Sequence, residues 1–154
     1  MVVTPGEQQT KWHECLLAAG CEKKPGLTML DSGCFRSLAG KPTHSSMQEY
    51  LKQFGLQPLW VPKVEEFVFG NCNTEFSDKS FMYPVFRDGK LIDVVDLARI
   101  KPECPPLISK GVMKDWDVKL NFGEQVTEVQ KHGFETPFIK DSPFVDLFDM
   151  GEKF

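Results

Sequence analysis

Before residue 60 the apolar residues are spaced for two helices. The first is predicted in TPGEQQTKWHECLLAAG, where a capping box opened by Thr4 precedes an apolar stripe. The second is predicted in GKPTHSSMQEYLKQFG, where Ser46 and Glu49 form another capping box and Gly55 can end the helix. Its apolar stripe follows i, i+3, i+4, i+7 spacing: Met47, Tyr50, Leu51 and Phe54. Between the two helices, LTML at residues 27–30 predicts a short strand.

After residue 60 the pattern changes to that of strands. EEFVFG and EFSDKSFMYPVF flank the polar stretch GNCNTE, which predicts a long β-hairpin. A second hairpin is predicted at RDGK, residues 87–90, because Asp88-Gly89 suits a type I′ turn. The strand LIDVVDLARI should follow that turn directly.

Three further elements are predicted towards the carboxyl terminus. SKGVMKDWD can form a short helix capped by Ser109, and it follows the apolar run CPPLIS. VKLNFG and EQVTEVQ predict two strands around Gly123. The predicted fold is therefore mainly β with short helices, and it suits a small barrel or sandwich because alternating β–α units are missing.

The chain is predicted to contain three regions. Residues 1–22 form a helical extension, residues 23–136 the main domain, and residues 137–154 a tail rich in Phe, Pro and Asp. We expect this tail to be partly ordered. Three alternatives are open for this tail. It packs in the core, it binds a partner, or it forms a strand that completes a dimer sheet.

Composition narrows the class of protein. The 154 residues suffice for one domain with a real core. The formal net charge of −4 and the isoelectric point near 5.4 argue against a nucleic-acid partner. Five scattered cysteines favour reduced thiols over a disulfide framework. With neither a signal peptide nor a membrane span in the pattern, we expect an intracellular, cytoplasmic protein without a membrane partner.

The candidate chemistry lies in LTMLDSGC, where Asp31, Ser32 and Gly33 follow the predicted strand. One interpretation is an ordinary turn, because Asp bonds its own backbone and Gly accepts positive φ. The other is peptide hydrolysis by paired carboxylates, which share one proton and activate a water molecule. The sequence contains no second Asp-[Ser/Thr]-Gly triplet. A catalytic pair would therefore require two chains, each providing one Asp.

Several motifs in order carry a resemblance to a known family. They are LTMLDSGC, FVFGN, a Ser-containing strand with YPV, and DVVDLARI followed by CPPLISKGVMKDWDVKLNF. This order, over about residues 26–133, resembles the retropepsin-type aspartic proteases of retroviruses and LTR retrotransposons, and is most similar to the copia-like branch. The resemblance implies a closed acid-protease β-barrel and a homodimeric aspartic endopeptidase that cleaves polypeptides. It implies no metal and no other cofactor.

The resemblance also implies a role for individual residues. Asp31 would be the catalytic carboxylate, Ser32 would make hydrogen bonds across the dimer, and Gly33 would complete the turn. Leu107 and Ile108 would form a strand that crosses behind this loop. The substrate-binding flap would be the first hairpin's tip: Phe69, Gly70, Asn71, Cys72, Asn73 and Thr74.

Some positions depart from the family pattern. Ser109 stands where retroviral members usually have Gly, Phe35 is bulkier than the small residue expected there, and the flap lacks a Gly-Gly tip. An alternative is therefore a catalytically weak or inactive retropepsin-fold domain that dimerises or binds peptides. A third reading is a small β-domain unrelated to proteases.

Other residues carry weaker signals. His13, Cys15 and Cys21 could ligate zinc, but a buried helix face is the favoured interpretation because no paired Cys-x-x-Cys spacing supports a metal. Cys34 is expected to be a small packing residue rather than a reactive thiol. Surface or capping roles are expected for the other two histidines, His44 and His132.

Overall fold

The structure is a computed structural model that describes residues 24–68 and 74–151. The predicted amino-terminal helix and the zinc candidates His13, Cys15 and Cys21 lie outside these residues. Five of the six predicted flap residues, 69–73, also lie outside them.

The described residues form ten strands and two α-helices, so the mainly β prediction is confirmed. In chain order these are β1 (Leu27–Leu30), β2 (Leu38–Gly40), α1 (Lys41–Lys52), β3 (Leu59–Val68), β4 (Thr74–Arg87), β5 (Lys90–Ile100), β6 (Leu107–Ile108), α2 (Lys110–Asp115), β7 (Val118–Asn121), β8 (Val126–Val129), β9 (Phe134–Pro137) and β10 (Phe144–Asp146). A 3₁₀ turn over Gln130–His132 joins β8 to β9.

Seven of the strands form one mixed sheet in the order β10-β1-β6-β2-β5-β4-β3. The pairs β1–β6 and β2–β5 are parallel, and the other neighbours are antiparallel. Strands β7, β8 and β9 form a separate antiparallel sheet. Within the described residues the edge strands β10 and β3 do not pair with each other. The seven-stranded sheet is therefore open, and the closed barrel implied by the resemblance is not observed.

Both predicted hairpins are present. Strands β3 and β4 pair antiparallel on either side of residues 69–73. Strands β4 and β5 are joined by Asp88 and Gly89, whose φ angles are 51° and 78°. A type I′ turn requires positive φ at both central residues, so Asp88-Gly89 fits the predicted turn.

Helix α1 begins at Lys41, five residues before Ser46. The prediction that Ser46 and Glu49 form a capping box at its start is therefore wrong. The N-cap is Gly40, and Pro42 lies in the first turn, where its fixed φ favours a helix start. Ser46 is inside the helix, and its hydroxyl donates to the Pro42 carbonyl. A Cβ at Gly40 would collide with the Pro102 carbonyl oxygen, so β2 can pass directly into α1 only with glycine at this position.

The main core lies between α1 and the seven-stranded sheet. Helix residues Met47 and Leu51 are fully buried against side chains from the central strands. The carboxyl-terminal segment joins this core through Val145, Leu147, Phe148 and Met150, and Phe144 is buried as well. Strand β10 also pairs with β1. This part of the tail is therefore packed in the core, as the core-packing alternative describes.

His44 is part of the core, so the surface or capping role expected for it is wrong. Its Nε2 lies 2.9 Å from the Ala98 carbonyl oxygen, and its Nδ1 lies 2.6 Å from the Tyr83 hydroxyl. The Gln48 amide donates to the same hydroxyl at 3.2 Å. Neutral imidazole satisfies both contacts, with Nε2–H donating to the carbonyl and Nδ1 accepting from Tyr83. Burial lowers the pKa of His44 from 6.5 to about 4.

Because His44 is kept neutral in the fold, the protein should lose stability in acid. A folded pKa of about 4 against 6.5 places this loss between those two pH values, with full stability above 6.5. The free energy of unfolding should fall by about 1.4 kcal/mol per pH unit within the window. Urea unfolding at one protein concentration and several pH values measures this slope. His44→Gln removes the titrating group and should flatten it, and equal slopes in both proteins would contradict the account.

Candidate active-site loop

Asp31 directly follows β1, the strand next to edge strand β10 in the seven-stranded sheet. Its backbone N–H donates to the Ile108 carbonyl at 3.0 Å, and its carbonyl accepts the Cys34 N–H at 3.0 Å. The carboxylate oxygen Oδ1 accepts the Gly33 N–H at 2.9 Å. Asp31 therefore forms the predicted turn with its own side chain. The residue is half-buried, while Ser32 and Gly33 are exposed, so solvent or another molecule can reach the loop.

Gly33 permits the close approach that this turn needs. A Cβ at this position would lie 3.3 Å from Asp31 Oδ1, which is tighter than an ordinary van der Waals contact. A larger residue would displace either the carboxylate or the N–H that it accepts. The Asp-x-Gly spacing therefore sets where the Asp31 carboxylate lies.

The strand β6 holds this loop from behind. Leu107 and Ile108 pair in parallel with Met29 and Leu30, so they lie beside the strand that leads into Asp31. The Lys110 N–H then donates to the Cys34 carbonyl at 3.0 Å. The loop is thus bonded to one continuous segment both before and after its turn.

Ser37 and Ser109 form a second connection between the same segments. The Ser109 N–H donates to the Ser37 hydroxyl oxygen at 2.9 Å, and the two hydroxyls are 3.1 Å apart. The Ser109 hydroxyl also accepts the Val112 N–H at 3.4 Å, so the predicted cap of α2 is confirmed. Both serines are buried. Sequence reasoning missed Ser37, since no local pattern shows that it faces a residue 72 positions away.

Cys34 is a packing residue, as expected. Its thiol donates to the Arg36 carbonyl at 2.8 Å, and the side chain packs against the small core cluster that contains Leu38 and Leu107. Burial raises the pKa of Cys34 to about 11. The thiol is therefore protonated at neutral pH and is a poor nucleophile.

The remaining predicted positions lie on the surface. Phe35 is 92% exposed although it is only four residues from Asp31. Thr74, the one described flap residue, is the first residue of β4, where it is exposed and pairs with Val68. The loop that follows Asp31 thus carries an uncovered aromatic ring.

His132 binds a carboxylate away from this loop. Its Nε2 lies 3.0 Å from Asp93 Oδ2, which also accepts the Trp116 indole N–H at 2.8 Å. Burial tends to raise the pKa of Asp93, but hydrogen bonds from the Val94 N–H, Trp116 and His132 outweigh it and lower the pKa. This group joins α2 and the 3₁₀ turn to β5, so His132 has a structural partner that the sequence did not reveal.

Neither a metal cluster nor a membrane-spanning helix is found in the described part of the chain. Residues 24–68 and 74–151 contain no group of three or more His, Cys, Asp or Glu side chains placed to hold a metal ion. Over the same residues, no helix has the length and apolar character needed to cross a membrane.

Replacing Ser37 should lower the stability of the fold, because the Ser37 hydroxyl connects the segment after Asp31 to Ser109. Ser37→Ala leaves the buried Ser109 N–H without its acceptor, so the free energy of unfolding should fall by about 1–3 kcal/mol. Ser45→Ala is the control, because Ser45 is exposed on α1 and has no part in the loop. Its replacement should change stability by less than about 0.5 kcal/mol. Urea unfolding of both variants measures the difference, and equal effects would contradict the role given to Ser37.

No protein-family model matches the chain, and no curated protein matches it.

Proposed function

We propose that the chain is an aspartic endopeptidase with a retropepsin-like fold, in which two copies each contribute Asp31. The observation that carries this proposal is the position of Asp31. Asp31 is half-buried directly after β1, and its turn is bonded to Ile108 at the end of β6 and to Lys110 at the start of α2. The order of strand, Asp-Ser-Gly turn, hairpin, crossing strand and short helix also agrees with the motif order of the resembling family.

The reaction would use two carboxylates in different protonation states. Close carboxylates cannot both ionise cheaply, so one proton is shared between them. The ionised Asp31 takes a proton from water as the water oxygen bonds to the peptide carbonyl carbon, and the protonated Asp31 donates to the carbonyl oxygen. The tetrahedral intermediate then collapses. Its C–N bond breaks as the nitrogen receives a proton, which releases an amine and a carboxylic acid.

The second copy is required because each chain has one Asp-Ser-Gly triplet. In a twofold dimer the same surface meets itself, so Asp31 must lie near the axis. Ser32, Gly33 and Phe35 are exposed at this loop, which leaves it accessible to a partner copy. The substrate is a polypeptide, and the proposal needs no metal or other cofactor.

A second candidate is a dimerisation or peptide-binding domain of the same fold without strong catalysis. The exposed ring of Phe35 favours it, because a small residue is expected at this position of an active family member. The third reading, an unrelated β-domain, would leave Asp31 as a turn residue. Its bond to the Gly33 N–H is what that role requires.

Replacing the Asp31 carboxylate should separate these candidates. Asp31→Asn keeps an oxygen that can accept the Gly33 N–H, but it cannot act as base, so peptide cleavage should fall by at least about a hundredfold. Activity is measured on a peptide library between pH 4 and 7, with and without a statine-type inhibitor, which should abolish it. Thermal unfolding should change little.

Asp88→Asn is the control, because it changes another Asp-Gly turn that is exposed and lies in the β4–β5 hairpin. It should leave cleavage unchanged. Cleavage by Asp31→Asn at the rate of the unmodified protein would overturn the enzyme proposal. A dimer that binds peptides but cleaves none would favour the second candidate.

A further inference from the structure

Arg36 connects the candidate active-site loop to the β3–β4 hairpin. It lies five residues after Asp31, and its side chain extends to Glu65 on β3. Nε donates to both carboxylate oxygens of Glu65, at 3.2 and 3.0 Å, and Nη2 donates to Oε1 at 3.1 Å. The two groups therefore form a bidentate pair, the strong and directional form of an Arg–carboxylate contact.

The same guanidinium is also bonded to the middle of the sheet. Nη1 donates to the Asp96 carbonyl at 2.7 Å and to the Ser37 carbonyl at 3.1 Å. Nη2 donates to the Ser80 hydroxyl at 2.8 Å and to Asp96 Oδ2 at 3.2 Å. The Ser80 hydroxyl in turn donates to Asp96 Oδ1. One side chain thus joins the loop to β3, β4 and β5, and Asp96 and Ser80 fix it from the sheet side.

Burial distinguishes this pair from the Arg99–Asp78 contact, which also involves the hairpin. The side chains of Arg36 and Glu65 are 21% and 19% exposed. Arg99 also binds a carboxylate on β4, that of Asp78, but Asp78 is 71% exposed. Exposed ion pairs contribute little because water and salt screen them. The Arg36–Glu65 contact is the one with the burial and geometry to fix a position.

Strand β3 is the part of the hairpin that depends most on such a contact. It is an edge strand that pairs with β4 on one side. Its register also shifts between Pro62 and Glu65, next to the residue that Arg36 binds. A bulge interrupts the ladder and re-aims a side chain. The Arg36–Glu65 contact, called the tie below, therefore holds β3 at the place where a bulge interrupts its backbone pairing.

We infer that Arg36 is a positioning residue: it sets the separation between the Asp31 loop and the β3 arm of the hairpin, the two elements that would hold the peptide in the proposed reaction. The peptide part of this inference rests on the proposed function. The tie itself does not, because it is made within one chain between described residues.

The test removes the tie at its β3 end. Glu65→Ala leaves Arg36 held by Asp96 and Ser80, so the Asp31 loop should stay in place while β3 loosens. Hydrogen exchange of the β3 amides should become about tenfold faster, with β1 and α1 unchanged. KM for a cleaved peptide should rise about tenfold with kcat within about threefold, because a binding contact is lost and the reacting groups are not moved.

Two further variants make the result specific. Glu65→Gln keeps an oxygen acceptor for the guanidinium, so it should restore part of the lost protection and of KM. Arg99→Gln is the matched control, because it breaks an Arg–carboxylate pair between β5 and β4 that does not involve the loop. It should leave both the exchange of β3 and KM unchanged.

The outcomes separate this inference from the proposed function. Unchanged β3 exchange in Glu65→Ala would overturn the inference, as would equal effects of Glu65→Ala and Arg99→Gln. If the unmodified protein cleaves no peptide, the enzyme proposal fails, and the exchange rates still decide whether Arg36 holds the hairpin.

Discussion

The structure around Asp31 depends on one set of hydrogen bonds, which joins the loop after β1 to the segment from Ile108 to Lys110. The Asp31 N–H donates to the Ile108 carbonyl, and the Cys34 carbonyl accepts the Lys110 N–H. Between these two bonds, the Ser109 N–H donates to the Ser37 hydroxyl. Because β6 lies between β1 and β2 in the sheet, these bonds also fix both strands that flank the loop. The exposed Ser32-Gly33 turn can keep its shape on this support. Arg36 extends the same support to the hairpin.

Two parts of the molecule respond to acid in opposite ways under this account. A proton shared between two Asp31 carboxylates favours activity in acid. Buried His44, held neutral by Tyr83 and the Ala98 carbonyl, favours folding above pH 6.5. Acid would therefore favour the proposed chemistry while it lowers the stability of the fold as the pH falls from 6.5 towards 4.

Local pattern was enough to predict the elements whose signals are local. The hairpin turn at Asp88-Gly89 follows from two residues that accept positive φ. The Ser109 cap and the turn at Asp31 follow from side chains that bond their own neighbourhood. The strands β2, β9 and β10 were not predicted. Strands β2 and β10 have only three residues each and are made by pairing with distant partners. At the site, Asp31 was found from sequence, whereas Ser37 and Arg36 were not. Their roles depend on contacts with residues 29 to 72 positions away.

The central claim is that two copies of this chain bring their Asp31 carboxylates together across a twofold axis. The most direct measurement is the distance between these carboxylates in an experimental structure of the assembly at slightly acidic pH. The account predicts oxygen atoms about 3 Å apart, close enough to share a proton. A monomer, or a dimer in which the two Asp31 side chains face separate regions of solvent, would contradict it.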